Sequence, residues 1–335
     1  MPEASSRMAA VESGRLARWA AGLASRFRGR GPARRRLPNT SSTSTAVFVT
    51  APGTPPQTVA QILARARDQY QQLVDKFADQ TGRLGCEHLR QYYWYHTIDL
   101  GDGLITPGDY DFRPALQLFG FPEDMPGMNV LDVGSASGFF AFEFEKRGAN
   151  VISVDLPSIA DWDMPTIDKP ATLQDLMACS NQSTLAGVDD ILVHGGFEAA
   201  RTLLRSRVKR CLSCIYDLSA TKLGVGGFDL IFAGDLLVHT MSPLKALDVL
   251  ATLCKGTLII AQDCAEVYEA HPVLQYFGGS DRGGDQRSWW HPNKACWEQM
   301  LKRVGFKTVE FVGEHIGVVS RQWIFYKRAI IHATK

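Results

Sequence analysis

The stretch NVLDVGSASGFFAFEFEKRGANVISVDLP, from Asn129 to Pro157, reads as strand, glycine turn, helix, strand. Asn129 to Val133 is a short apolar run, Gly134 to Gly138 permits a tight turn, and Phe139 to Arg147 continues without Gly or Pro until Gly148 closes it like a helix C-cap. Val151 to Val154 resumes a β-branched run that ends on Asp155. This is one βαβ half of a nucleotide-binding sheet, whose ligand sits over the carboxyl ends of the strands.

Loop chemistry narrows the ligand. A pyrophosphate site calls for three glycines in G-x-G-x-x-G and no competing negative charge. Here Gly134 and Gly138 are separated by Ser135, Ala136 and Ser137, and Asp132 sets a carboxylate at the strand end, where it repels phosphate and attracts an ammonium. Asp155 follows Gly134 at about the spacing of ~20 residues from which an acidic side chain reaches a ribose hydroxyl. A ribose, a cationic amino-acid end and no phosphate describe S-adenosylmethionine (SAM). In these residues the chain resembles the class I SAM-dependent methyltransferases, which implies a cofactor site at Asp132, Gly134, Ser135, Gly138 and Asp155. A nicotinamide-dependent dehydrogenase would use the same sheet, but the missing third glycine and Asp132 count against it. A SAM-binding protein without catalysis stays open as a rival.

The chain of 335 residues, 45% hydrophobic and 21% charged, is long enough for one large domain plus extensions. Its net charge of +1 excludes a globally basic nucleic-acid binder. Seven cysteines form no disulfide framework and suit a reducing, cytoplasmic compartment. Cys211 and Cys214, the C-x-x-C pair, lack a second pair or a nearby His and read as part of a strand, so no metal site is expected. No 18-residue apolar run suggests a transmembrane helix.

Residues 1–56 stand apart, with nine arginines and two acidic residues before position 40, then a Ser/Thr run and APGTPP. Met8 to Arg28 has the spacing of a basic amphipathic helix, and the segment reads either as an organellar transit peptide or as a disordered tail. Residues 57–121 form an N-terminal helical and lid region. Within it Thr58 to Gln80 has one apolar helical face, and YYWYHTIDLGDGLITPG, Tyr92 to Gly108, crowds aromatics and ionisable groups as a pocket wall would. Asp111 to Phe119 reads as a short helix. Residues 122–335 carry the SAM-binding domain, with an insertion near 157–196. Further strands are expected at Val208 to Tyr216, Phe228 to Ala233, Thr257 to Ala261, Lys307 to Val312 and Trp323 to Ala333. Five strands alternating with helices and two late strands make a doubly wound, seven-stranded, Rossmann-like α/β sheet under an N-terminal helical and aromatic lid. Asp217, after the third strand, suits the adenine amino group in the methyltransferase pattern, and Gly234 opens the loop after the fourth.

FDLIFAGDLLVHTMSPLKAL and WWHPNKACWEQMLKRVGF resemble the bacterial tRNA wobble-uridine methyltransferase-like family, including its carboxymethyl-transferring branch. That resemblance runs from about Tyr92 to Lys335 and implies His239 and Arg328 near the reaction centre. Val238 stands where that branch has a Tyr, which points to plain SAM rather than carboxy-SAM. Methyl transfer needs alignment and, for a protonated acceptor, a base, for which His239 and His96 are the candidates. Trp289, Trp290 and His291, with Arg328, are the candidate acceptor-binding residues, the tryptophans by stacking. The acceptor expected is a small molecule, with tRNA as the alternative partner.

Overall fold

A computed structural model of the chain describes residues 58–276, 278 and 287–335. The amphipathic segment of residues 1–56 and its targeting reading lie outside the described residues. Seven strands form one sheet in the order β3-β2-β1-β4-β5-β9-β8. They are β1 (Asn129–Val133), β2 (Asn150–Asp155), β3 (Lys209–Leu212), β4 (Phe228–Gly234), β5 (Cys254–Gln262), β8 (Thr308–Val319) and β9 (Ile324–Thr334). The five early strands run parallel, and β9 inserts antiparallel between β5 and β8. A separate two-stranded ribbon pairs β6 (Leu274–Tyr276) with β7 (Trp290–Pro292).

Both faces of this sheet are buried, as expected of a parallel sheet with helices on each side. Val130, Leu230, Phe232, Ile259 and Ile330 point into one core, filled by Phe139, Phe140, Phe142 and Phe144 of helix α2 and by Phe197. The alternate residues Leu131, Val133, Ile231, Leu258, Ile260 and Ile331 point into the other, against Leu247, Leu250 and Trp297. Before the sheet comes helix α1 (Val59–Arg83), started by a capping box of Thr58 and Gln61. Helix α2 is Phe139–Lys146. Its N-cap, Gly138, has φ 91°, and a Cβ there would stand 2.7 Å from both Phe142 and Phe197, so the position requires glycine on conformation and on space.

Several boundaries differ from the sequence expectation, among them β8, which runs to Val319, past the expected Val312. The third strand stops at Leu212 instead of reaching Tyr216, because after its pairing with Ile152 to Asp155 the chain turns to bury Ile215, so Cys214 lies outside the strand. Asp111 to Phe119 holds a 3-10 helix, Arg113–Phe119. Ahead of the third strand, Leu185–Asp189 continues through one π turn, Asp190–His194, into the helix Gly195–Leu203. The rest of the insertion holds a short turn at Ile159–Asp161 and a helix at Lys169–Ser180. No helix among the described residues is long and apolar enough to cross a membrane.

Candidate active site

The carboxyl ends of β1, β2, β4 and β5 open into one cavity of about 1100 Å³. A typical single-ligand site holds roughly 300–1,000 Å³, so there is room here for a cofactor and an acceptor together. Its floor is made by Asp132, Gly134, Ala136 and Asp155, one side by Tyr93, Tyr95, His96 and Tyr110, and the far wall by Gly234 to Leu236, His239, His291 and Tyr326 to Arg328. The insertion contributes Asp161 to Met164.

Asp132 is buried, and its Oδ2 has no hydrogen-bond partner. Burial, with the charge of Asp155 added, pushes its carboxyl up to about 8. A buried orphan acceptor of this kind carries a desolvation cost that a cationic ligand removes. Asp155 accepts from the backbone amides of Ala136 and Leu156, each at 2.8 Å, so it ties the glycine loop to the end of β2. Burial raises its carboxyl, opposed by Arg210 and those two amides. Gly134 faces the cavity beside Leu236, which would stand 3.1 Å from a Cβ on it. The donor set therefore fits a ligand with a cationic end and a ribose.

Two of the expected loop residues serve the loop rather than the cavity. Ser135 is buried and accepts from Ser153 Oγ at 2.6 Å, while Gly138 lies under Phe142 and Phe197. Asp217 is exposed and borders a smaller neighbouring pocket, because the turn at Ile215–Asp217 aims it outward; Ser213, Cys214 and Ile215 line the cavity in its stead.

Of the two histidines expected near the chemistry, His239 is half-buried on the cavity, with Nδ1 2.8 Å from the Arg287 carbonyl. A carbonyl only accepts, so Nδ1 carries the proton and Nε2 of the neutral ring is an acceptor. His96 also reaches the cavity, but its ring packs against Tyr95, Phe112, Phe139 and Phe140, and burial holds it down to about 3. That makes it a poor base. Its backbone amide donates to Ser137 Oγ at 2.9 Å, fastening the aromatic segment to the glycine loop as a fixed cover.

Trp289 and Trp290 do not line the cavity. Trp289 is buried and donates through Nε1 to the Asp163 carbonyl at 2.8 Å, and Trp290 Nε1 donates to the Met241 carbonyl at 3.0 Å. They fasten the β7 approach to the insertion and to the loop after His239, whereas His291 next to them does face the cavity. Arg328 faces it as well, ion-paired with Asp235 and lying 4.9 Å over the Tyr326 ring.

Asp235 was not singled out in the sequence. It follows β4 with φ 48°, a left-handed conformation uncommon outside glycine, and its carboxyl is raised by burial and lowered by Arg328. The available signal was an acid at a strand's carboxyl end, the position that Asp132 and Asp155 also hold. Tyr95 lies in the aromatic segment expected as a pocket wall, while Tyr110 and Asp163 carried no comparable signal. Asp163 joins the insertion to the rest, accepting from Tyr216 Oη at 2.5 Å and from the Met241 amide at 2.6 Å. Among the described residues no group of His, Cys, Asp and Glu could hold a metal ion.

Comparison with known proteins matches residues 108–310 to the methyltransferase domain family. No curated protein sequence matches the chain. Similar solved structures include the 1,6-didemethyltoxoflavin-N1-methyltransferase of Burkholderia thailandensis, 14% identical, covering 86% of this chain and 97% of that one, TM-score 0.41. Another is the magnesium protoporphyrin IX methyltransferase of Synechocystis PCC 6803 with bound SAM, 16% identical over 63% of this chain and 71% of that one, TM-score 0.37. A third is a SAM-dependent methyltransferase from Mesorhizobium loti, 14% identical over 67% and 97%, TM-score 0.41.

Proposed function

Because the chain belongs to the methyltransferase domain family and is a SAM-dependent methyltransferase, we propose that its acceptor is a small molecule without phosphate groups, methylated beside His239. The observation that carries this reading is the charge of the cavity. Its described lining holds eight acidic residues, Asp109, Asp132, Asp155, Asp161, Asp163, Asp235, Asp263 and Glu266, against three permanent cations, Arg287, Lys327 and Arg328; with Asp132 protonated near neutral pH and Asp109 paired with Arg321, six carboxylates still outnumber the cations. Such a field favours a cationic cofactor and repels a polyanion.

In this reading Asp132, Gly134, Ala136 and Asp155 hold SAM, which supplies a methyl group made electrophilic by its sulfonium. Asp155 takes the ribose hydroxyls, and Asp132 answers the cationic end. His239 takes the acceptor's proton at Nε2, with Nδ1 fixed on the Arg287 carbonyl. The Tyr93 to His96 wall and the insertion's Trp162 to Met164 keep water from the reacting atoms.

Transfer to a tRNA wobble uridine, in methyl or carboxymethyl form, is the finer reading that the sequence resemblance raised, and the acidic cavity does not favour it. The composition points the same way. The nine arginines and two acids before position 40 leave 27 basic against 33 acidic residues in the remainder, too few for a long phosphate-binding surface. The test is calorimetry with SAM, S-adenosylhomocysteine and NAD on the full chain, then transfer of labelled methyl from SAM into the small-molecule and tRNA fractions of a cell extract. SAM and S-adenosylhomocysteine binding with label in the small-molecule fraction supports the proposal; label in tRNA overturns the acceptor class, and NAD binding in place of SAM overturns the cofactor assignment.

A further inference from the structure

One part of the cavity lining has a chemistry unlike the rest. Three phenols meet there: Tyr95 from the aromatic segment and Tyr110 just after it, ring centroids 4.8 Å apart, and Tyr326 from β9, 5.1 Å from Tyr110. Phe112 stacks behind Tyr110 with an interplanar angle of 5°, and His315 stacks on Tyr326 at 5.3 Å and 28°. Tyr326 can lie flat across the hairpin because Gly317 stands opposite it in register; a Cβ at Gly317 would come within 2.5 Å of the phenol. Burial raises the proton affinity of all three phenols, Tyr110 to about 12, so each is a neutral hydroxyl.

Beside these rings lies the Asp235–Arg328 pair. Arg328 covers one face of Tyr326, and Asp235 is close enough to His239, Tyr95 and Tyr110 for their charges to influence one another. The pair sums to zero charge, and Asp263 stands close enough to Asp235 to add a negative one. An anionic acceptor placed here meets Asp235 and Asp263 with Arg328 already engaged. A flat, polarisable molecule without negative charge avoids that penalty and can pack against the aromatic rings.

We propose that the acceptor is a planar aromatic molecule without negative charge that carries a hydroxyl group, packed against Tyr95, Tyr110 and Tyr326 with its edge toward the Asp235–Arg328 pair. This rests on the methyltransferase reading above, and it deepens that reading by naming the acceptor class. In the transfer, the hydroxyl proton passes to His239 Nε2 as the oxygen–methyl bond forms and the methyl–sulfur bond breaks, the electron pair staying on sulfur. The products are the aryl methyl ether, S-adenosylhomocysteine and a protonated His239.

Three probes of similar size separate the features of this part of the lining by calorimetry on the full chain saturated with S-adenosylhomocysteine: 2-naphthol, planar and neutral; 2-naphthoate, planar and anionic; and decalin-2-ol, neutral but not planar. The expected order is 2-naphthol first, decalin-2-ol about five- to tenfold weaker, and 2-naphthoate weaker by tenfold or more (~10) through its charge. Asp235→Asn, which frees Arg328 from its ion pair, should narrow or close the gap between 2-naphthoate and 2-naphthol, and Tyr326→Leu should remove the preference for 2-naphthol over decalin-2-ol. The proposal is overturned if the unaltered protein binds 2-naphthoate or decalin-2-ol as tightly as 2-naphthol, or binds none of the three while S-adenosylhomocysteine binds. This comparison does not depend on either variant folding. Failure to bind S-adenosylhomocysteine itself would instead bring down the cofactor reading, so the two failures are distinguishable.

Discussion

Asp132 and Asp155 end two neighbouring parallel strands, and the charge of Asp155 adds to burial in holding the Asp132 carboxyl near 8 against its ordinary 3.8. Near neutral pH, Asp132 is therefore protonated in the ligand-free protein. A cation bound beside it favours the carboxylate and expels that proton. SAM affinity should accordingly rise with pH between about 6 and 8, by up to tenfold per unit, and level off above. Calorimetry at pH 7 in buffers of different ionisation enthalpy should register about one proton released; no release would mean that Asp132 does not meet the cationic end.

The same shift has a consequence for stability. A carboxyl whose folded value lies above its unfolded value stabilises the fold most below the unfolded value, and it loses that contribution as pH climbs to the folded value. Stability of the ligand-free protein should fall between about pH 4 and 8. Asp132→Asn, which cannot ionise, should flatten that slope and raise stability on the order of 1–3 kcal/mol at pH 8, while weakening SAM. Denaturant melts across the pH range check both signs.

Asp155→Ala should weaken SAM by about 1.5–3 kcal/mol, through lost hydrogen bonds to ribose and through release of the Ala136 amide that the carboxylate holds. Asp155→Asn should lose less, since one amide oxygen still accepts. The measurement is a SAM dissociation constant for each variant, with a thermal melt to confirm folding; equal affinity in all three proteins would remove Asp155 from the ribose site.

His239→Ala should leave SAM affinity within about twofold and reduce transfer into the small-molecule fraction by roughly 10²–10⁴. A comparable fall in SAM affinity would make His239 part of the cofactor site instead of a base.

Arg321 ion-pairs with Asp109 at 3.3 Å and donates to Tyr70 Oη at 2.7 Å, while Tyr93 Oη donates to Asp109 at 2.5 Å. This buried group fastens α1 and the aromatic segment to the β8–β9 turn. Arg321→Met or Asp109→Asn alone should destabilise by about 3–5 kcal/mol, because each strands a buried partner, and the double variant should cost less than the sum. Chemical denaturation of the four proteins in that cycle tests it, and additive losses would show that the two residues act separately.

Local pattern determined a good deal of this protein. Asn129 to Pro157 carried a complete strand, turn, helix and strand, and acids at two strand ends named the cofactor chemistry, because these features depend on residues within one βαβ unit. Tertiary structure decided the rest. Position 217 has the right residue type at the right distance along the chain, yet a turn that buries Ile215 aims it outward. Trp289 and Trp290 look like stacking platforms in sequence but are used up by carbonyls of Asp163 and Met241, far away in the chain. His96 has the residue type of a base and the surroundings of a core ring. Asp235 follows β4 and Arg328 lies on β9, and they meet each other beside Tyr95, Tyr110 and Tyr326 only because β4, β9 and the aromatic segment converge at one end of the sheet. Charge compensation, desolvation and ring contact act through space, and chain order does not record which side chains will share that space.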